Sequence, residues 1–168
     1  MFSQKRIVIK GAGDLATGVA ARLWRSGFPV MMTEIEQPLT VRRSVSLSDA
    51  VYDGETTVED MTARRAQGRA DILKALDNRL IPVIVDPKAE IASEIEVFAV
   101  IDAIMAKKNI GTRMDDAAFV VGLGPGFAAG HDVHAIVETK RGHTLGRVIW
   151  QGSAIPNTGI PGEVKGFG

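Results

Sequence analysis

Short apolar runs alternate with helical segments along most of this chain. The runs lie at residues 6–10, 29–33, 81–85, 97–101 and 119–121 and are rich in valine and isoleucine. After the first run, Val19, Leu23 and Trp24 recur at helical spacing, and Gly27 followed by Pro29 ends that helix. Short apolar strands separated by helices predict an α/β fold with a Rossmann-like, mostly parallel sheet flanked by helices.

The segment between the second and third runs carries a helix signal. Residues 37–55 are mixed and polar, which predicts mostly loop with one short helix. Thr56-Thr57-Val58-Glu59 then fits a capping box, in which a hydroxyl and a carboxylate satisfy the free amides of a helix start. We therefore predict a helix over residues 58–78, with Ile72, Leu73 and Leu76 on its buried side.

The last third of the chain is richer in glycine and turn residues. Residues 134–139 are predicted to form a strand, 140–143 a turn, and 144–150 the second arm of a C-terminal β-hairpin. From Gly152 onward a Gly/Pro-rich tail follows. We predict a single domain over residues 1–168, with one weak seam at residues 107–111.

Composition excludes several classes of chemistry. The 168 residues include 20 basic and 20 acidic side chains, so no net field favours nucleic acid or an anionic membrane. The chain has no cysteine, which removes disulfides, thiolate metal ligands and persulfide carriers. No apolar run approaches the roughly 18 residues that span a bilayer. A soluble cytoplasmic protein is predicted, with no membrane and no nucleic acid among its partners.

The first apolar run leads directly into a glycine turn. The candidate ligand-binding residues there are Gly11, Ala12, Gly13, Asp14, Leu15 and Ala16. A strand, a glycine turn and a helix in this order grip a pyrophosphate, because amides at the helix start and its positive end attract the anion. The competing hypothesis is a turn with a structural role alone. Lys10 is expected to pair with Asp14, the alternative being that it faces an anion.

An acidic residue about twenty positions after the turn completes the pattern. Glu34 is the predicted partner of the ribose hydroxyls, and Glu36 is the second candidate. Either carboxylate would repel a 2′-phosphate and so disfavours NADP. Arg42 and Arg43 are expected to form a solvated surface, the alternative being a loop that folds back toward a phosphate.

A second glycine cluster, residues 122–126, has a different character. Pro125 lacks an amide donor and the chain beyond Gly130 looks extended, so a second phosphate cradle at a helix start is not predicted. Gly122 and Gly124 remain candidates for close approach of the backbone to a ligand or to another chain. Two aspartates near strand ends, Asp86 and Asp102, fit either a site or a turn.

The histidines do not form a convincing metal site. His131, His134 and His143, together with Glu138, are the residues that would have to converge. Alternate residues share one face of a strand, so His134 and Glu138 lie on one face but His131 need not. We predict packed or turn histidines and no metal.

Several blocks together resemble one family. They lie at residues 8–18, 33–38, 41–43, 50–54, 122–127, 132–134, 138–139, 141–143 and 156–163. In these blocks the chain resembles the YqeB-type accessory family, which is associated with selenium-dependent molybdenum hydroxylases and is thought related in role to the XdhC-type proteins. The resemblance implies an accessory protein whose relatives continue past Gly168, and partners that include a molybdenum hydroxylase or a chalcogen-donating enzyme.

The glycine turn and the resemblance combine into one hypothesis. The chain is expected to bind a dinucleotide, either molybdopterin dinucleotide or NAD, while a partner supplies sulfur or selenium. The alternatives are an NAD-dependent oxidoreductase and a non-catalytic NAD-binding redox sensor. Tyr52 has Thr56 four residues on, so the tyrosine–lysine pair of one dehydrogenase class is missing. No catalytic set is identified, whether a reaction is catalysed stays open, and a homo-oligomer is expected.

Overall fold

The structure is a computed structural model that describes residues 4–156. Within that range the strands are Ile7–Lys10 (β1), Val30–Glu34 (β2), Glu55–Val58 (β3), Met61–Arg65 (β4), Ile81–Val85 (β5), Ala99–Asp102 (β6), Phe119–Leu123 (β7), Ala135–Val137 (β8) and Val148–Ile149 (β9). The α-helices are Asp14–Arg25 (α1), Ala50–Asp53 (α2), Gly68–Asp77 (α3) and Ile91–Glu94 (α4). The predicted tail from residue 157 onward lies outside the described residues.

The strands form one mixed sheet in the order β3-β4-β5-β2-β1-β6-β7-β8-β9. The seven strands from β4 to β8 in this order run parallel, and the edge strands β3 and β9 pair antiparallel with their neighbours. This confirms the predicted α/β class and the mostly parallel sheet. The chain leaves β1 toward β2 on one side and later returns to β6 on the other, so the strand order reverses between β1 and β6.

The sheet carries a hydrophobic core on each face. Ile7 and Ile9 of β1 belong to the core that α1 and α2 cover, whereas Val8 belongs to the core on the side of α3 and α4. Successive side chains of a strand point to opposite faces, so a strand covered on both faces has to be apolar throughout. That requirement explains why the short valine and isoleucine runs predicted the central strands well.

The predicted helix over residues 58–78 is wrong in its first half. A hairpin of β3 and β4 occupies residues 55–65, with Val58 paired to Met61 across a two-residue turn. The β-branched Thr56, Thr57 and Val58 favour a strand, and Met61 and Ala63 are buried at every second position. The helix itself begins only at Gly68, as α3. The hydroxyl-to-glutamate spacing resembled a capping box but marks a hairpin turn.

Two ion pairs hold that hairpin turn against α1. Arg25 in the last turn of α1 contacts the carboxylates of both Glu59 and Asp60. Its guanidinium lowers the pKa of Asp60 below the usual range, chiefly through the side-chain hydrogen bond. The C-terminal end of α1 is thus attached to the hairpin.

Other predicted boundaries shift by a few residues. The strand predicted at 97–101 is observed as β6, Ala99–Asp102, and the arm predicted at 144–150 contains only the two-residue strand β9. β9 pairs antiparallel with β8 over two residue pairs, Ile136 with Ile149 and Val137 with Val148. Across residues 4–156, no helix combines the length and the apolar character needed to cross a membrane.

The end of β8 is fixed by a buried carboxylate. Glu138 accepts hydrogen bonds from the backbone amides of Thr139 and Lys140 through Oε1 and of Ile155 through Oε2, each at 2.8 Å. Burial by itself would raise the pKa of Glu138, but these three amides outweigh it and hold the pKa below its usual range. The carboxylate therefore ties the segment around Ile155 to the sheet.

We predict that Glu138→Gln lowers the free energy of unfolding near neutral pH by about 1–3 kcal/mol, since the charge-assisted bonds of a buried carboxylate to three backbone amides are lost. The carboxylate's contribution is complete above its unfolded-state pKa and is lost as the pH falls through the lower folded-state pKa. Urea unfolding at several pH values should show the difference between wild type and variant shrinking toward acid pH. A difference that is constant with pH would contradict this role, and the exposed Glu96→Gln serves as control.

Candidate functional site

A cavity of about 570 Å³ opens at the carboxyl edge of the parallel strands. Its lining comes from four segments, those that follow β1, β2, β5 and β6: Gly11, Gly13, Asp14, Leu15, Ala16, Thr33, Glu34, Ile35, Leu39, Thr40, Val41, Arg42, Pro87, Ala103, Ile104, Met105 and Ile110. Ligands of open α/β sheets bind in the crevice where the strand order reverses, which here is between β1 and β6. The volume is within the range of small-molecule sites.

Gly11 is required by the fold itself. Its φ of +93° lies in a region that side chains rarely adopt, and a Cβ there would lie 3.3 Å from the carbonyl oxygen of Ala103. The Gly11 amide donates to the Thr33 carbonyl at 2.8 Å, which continues the pairing of β1 with β2. This glycine therefore lets the chain turn sharply beneath the segment that follows β6.

Gly13 is not required by the fold. It is the N-cap residue of α1 with a φ of −67°, which any residue adopts. A Cβ at Gly13 would meet only Thr40 Oγ1, at an ordinary 3.6 Å, and both residues line the cavity. The missing side chain leaves the start of α1 open to the cavity. Nearby Ala12 and Ala16 are buried in the core beside α1.

Glu34 lies at the end of β2 and joins the glycine turn to the second strand. Its Oε1 accepts a hydrogen bond from the Ala12 amide at 3.0 Å, and its Oε2 accepts one from the Ile35 amide at 2.8 Å. An ionised carboxylate has about four acceptor positions, so two remain for a ligand. Glu36, the second candidate, is exposed in the following loop and does not line the cavity.

A cation from the loop after β2 reaches the start of α1. Arg42 lines the cavity and forms an ion pair with Asp14, whose Oδ1 also accepts from the Leu15 amide at 2.9 Å. Arg43 points elsewhere and pairs with Asp49 at 2.9 Å. The loop after β2 thus folds back so that Arg42 reaches the cavity and Arg43 does not. Arg42 neutralises the charge of Asp14 at the place where an anionic ligand would approach.

The expected pairing of Lys10 with Asp14 is wrong. Lys10 is buried and lies opposite Asp102 in the register of β1 and β6, with Nζ 3.7 Å from Asp102 Oδ2. Thr112 bridges the two: Lys10 Nζ donates to its hydroxyl at 2.6 Å, and the hydroxyl donates to Asp102 at 2.5 Å. Lys10 and Asp102 are far apart in sequence, and the register between β1 and β6 brings them together. The spacing along the chain therefore could not identify Asp102 as the partner of Lys10.

Much of the cavity wall is apolar and exposed. Leu39 and Val41 are 86% and 95% exposed, and Leu15, Ile35 and Ile110 are also exposed. Apolar side chains grouped around an open cavity are typical of a binding surface. Sequence reasoning missed this wall; isolated apolar residues in the polar stretch 37–42 were the available signal.

The second glycine cluster lies outside the cavity, against protein atoms. A Cβ at Gly122 would be 2.5 Å from the Phe127 ring, and one at Gly124 would be 2.5 Å from Thr139 Oγ1. At Gly126 a Cβ would be 2.7 Å from the Lys108 backbone. These glycines let parts of the chain pack closely on one another, and neither Gly122 nor Gly124 lines the cavity.

The remaining candidate residues, two histidines and two aspartates, form hydrogen bonds at turns and strand ends. His134 Nδ1 accepts from the Val120 amide at 3.0 Å, and His131 contacts Asp132 at 2.9 Å. Asp86 accepts from the Ile91 amide at 2.9 Å, and Asp102 accepts from the Ile104 amide at 3.1 Å. In the described part of the chain, no three histidine, aspartate or glutamate side chains converge in a way that could hold a metal ion.

Comparison with known proteins gives one informative similarity. The chain is 51% identical over 160 residues to the "Uncharacterized protein YqeB" of Escherichia coli (strain K12). The aligned part is 95% of this chain but 30% of that protein, so the chain spans about three-tenths of the length of this relative. No protein-family model matches, and no solved structure matches. This similarity supports the resemblance to the YqeB-type family that the sequence blocks indicated.

We predict a large stability effect at one glycine of the turn and a small one at the other. Gly11→Ala should lower the free energy of unfolding by about 1–3 kcal/mol, because the φ is strained for any side chain. Gly13→Ala should change it by no more than about 1 kcal/mol, because a weaker N-cap is offset by a less flexible unfolded chain. Chemical denaturation measures both. Gly18, exposed within α1 with open space around it, is the control, and Gly18→Ala should be neutral or stabilising.

Proposed function

We propose that this chain binds a dinucleotide, molybdopterin dinucleotide or NAD, in the cavity between β1, β2 and β6. The observation that carries the proposal is Gly13, a glycine that the fold does not need, at a helix start that opens into the cavity. At the edge of a cavity, a glycine of this kind leaves room for a ligand to approach the backbone closely.

The strand order supports a nucleotide ligand. With the β3–β4 hairpin and β9 left aside, the order β5-β2-β1-β6-β7-β8 corresponds to the 3-2-1-4-5-6 order of doubly wound dinucleotide-binding sheets. In such sheets the pyrophosphate binds at the start of the first helix, where amides and the helix dipole attract it. α1 occupies that position here, directly after the glycine turn.

The residues at the cavity fit the parts of such a ligand. Gly13 and the first turn of α1 would hold the diphosphate, with Arg42 balancing the charge of Asp14 beside it. Glu34 is already oriented by two backbone amides and would accept the ribose hydroxyls with its remaining lone pairs. A second phosphate on that ribose would meet a carboxylate, which disfavours NADP.

The biological role that we propose is that of an accessory protein in the maturation of selenium-dependent molybdenum hydroxylases. Support for it comes from the sequence resemblance and the similarity to YqeB, over a chain that spans three-tenths of that protein. A molybdopterin dinucleotide, when bound, supplies the metal-binding pterin. With no cysteine in its 168 residues, this chain would hold the nucleotide end while a partner delivers sulfur or selenium.

We predict that NAD or a pterin dinucleotide raises the melting temperature and NADP does not. A ligand at a hundred times its dissociation constant adds about 2.7 kcal/mol to the free energy of unfolding. Gly13→Ala should weaken binding about tenfold or more, since a methyl group fills the space of the phosphates, whereas Gly18→Ala should leave it unchanged. Calorimetric titration and thermal shift provide the measurements.

Two outcomes would count against the proposal. If no nucleotide shifts the melting temperature, the cavity is not a nucleotide site. If Gly13→Ala and wild type bind equally, the ligand does not approach the start of α1. For the accessory role, native mass spectrometry of protein from a molybdenum-replete host should show a retained pterin dinucleotide, and hydride transfer from bound NADH would instead support an oxidoreductase.

We also predict that Arg42 and Asp14 act on the ligand in opposite directions. Arg42→Gln leaves the Asp14 carboxylate unneutralised beside the phosphates and should weaken binding severalfold, while Asp14→Asn should strengthen it. The double variant should return close to wild type. Titrations at low and moderate salt measure these effects, which shrink as salt rises. Arg43→Gln is the matched control, because Arg43 does not line the cavity; an equal loss with it would contradict a specific role for Arg42.

A further inference from the structure

The cavity covers only one half of the sheet's carboxyl edge. Its lining comes from segments after β1, β2, β5 and β6, and in the described part of the chain no residue after β7 or β8 contributes. In doubly wound folds a dinucleotide extends across the crevice, with one nucleotide over each half of the sheet. Whether the other half of the edge, at the ends of β6, β7 and β8, is open or covered therefore decides how much of a dinucleotide this chain can bind.

That other half is covered by the chain's own residues 105–112. At one end of this segment, Thr112 bonds to Lys10 and Asp102 at the ends of β1 and β6. In its middle, the Asn109 amide donates to the carbonyl of Gly126, just after β7, at 3.1 Å. Gly126 packs against the Lys108 backbone so closely that a Cβ could not fit, at 2.7 Å. The segment thus lies directly on the ends of β6 and β7.

Beside Gly124 the space is filled by side chains, and a separate pocket of about 430 Å³ beyond it, lined by Lys107 and residues 125–128 among others, shares no lining residue with the cavity. A Cβ at Gly124 would lie 2.5 Å from the Thr139 hydroxyl and 3.1 Å from Met105 Cε. The next residue along from β8, Glu138, is buried and bonded to three backbone amides. The glycines of the second cluster therefore serve to close this half of the edge.

The covering segment is held in a backbone conformation that has an energetic cost. Met105 and Lys107 have φ values of 61° and 62°, in the left-handed region that favours glycine. Such conformations persist only where surrounding contacts determine them. The Thr112 link and the Asn109 bond to Gly126 are those contacts. The cover is part of the folded structure.

We propose that the site grips a single nucleoside diphosphate half of its ligand and directs the other half away from the sheet, out through the open mouth of the cavity. This inference rests on the proposed function and adds that the chain binds only one half of the dinucleotide. The first nucleotide would lie between Gly13, Glu34 and the apolar wall, while the second group of the dinucleotide finds no space over β7 and β8 that shares lining with the cavity. A carrier built in this way presents the outer half of its ligand to a second protein.

The test compares each whole dinucleotide with its own truncated half. NAD is titrated against ADP, its nucleoside diphosphate half, and a pterin cytidine dinucleotide against cytidine diphosphate. For whichever pair binds, we expect the dissociation constants of the whole dinucleotide and of its half to agree within about threefold, because the outer group contributes little. Nicotinamide mononucleotide should give no measurable heat.

Controls separate this inference from the proposed function. Glu34→Gln should weaken both members of the binding pair by the same factor, which locates them in one site; Arg42→Gln provides the same check should Glu34→Gln fold poorly. A whole dinucleotide that binds tenfold or more tightly than its half would overturn the single-half site and leave the nucleotide site intact. If neither member of either pair binds, the nucleotide site itself fails, and this inference with it.

Discussion

The buried ion pair of Lys10 with Asp102 is the interaction on which the functional half of this structure depends. Each residue ends a central parallel strand, and each is followed at once by a segment that lines the cavity. Removing two charges from water costs several kcal/mol per ion, and the attraction offsets this only with good geometry and further hydrogen bonds. Thr112 supplies those bonds from a third segment. The glycine turn, the segment after β6 and the covering segment thereby share one buried junction.

The two glycines of the turn show how different physical demands produce similar sequence. Gly11 is explained by backbone conformation, since its φ of +93° excludes ordinary side chains. Gly13 has no such explanation, because its backbone and surroundings would accept a Cβ. The glycines at 122, 124 and 126 belong to a third case, in which parts of the protein pack closely on one another. A glycine-rich pattern thus indicates close approach, and only the structure tells what approaches.

The strands that are buried on both faces could be predicted from sequence, because double burial forces a continuous apolar run such as Ile7-Val8-Ile9. The hairpin of β3 and β4 could not, because Thr56-Thr57-Val58-Glu59 satisfies a helix-capping pattern while its β-branched residues favour a strand. Within the site, Glu34 was identifiable from its distance to the turn. The partner of Lys10 depends on strand register, and the exposed wall around Val41 depends on how a loop returns to the sheet. Neither is encoded in local spacing.

The contacts at the two ends of α1 have a mechanical consequence. The first turn is tied to the loop after β2 through Asp14 and Arg42, and the last turn to the hairpin through Arg25, Glu59 and Asp60. Between them, Ala16 and Ala20 pack without bulk against the sheet. The close packing of these small side chains limits movement of the helix relative to the strands, and the exposed ion pairs at its two ends add a little to this. In the proposed function, ligands of different size would then be accommodated on the side of the loop that carries Leu39 and Val41, whose side chains are exposed.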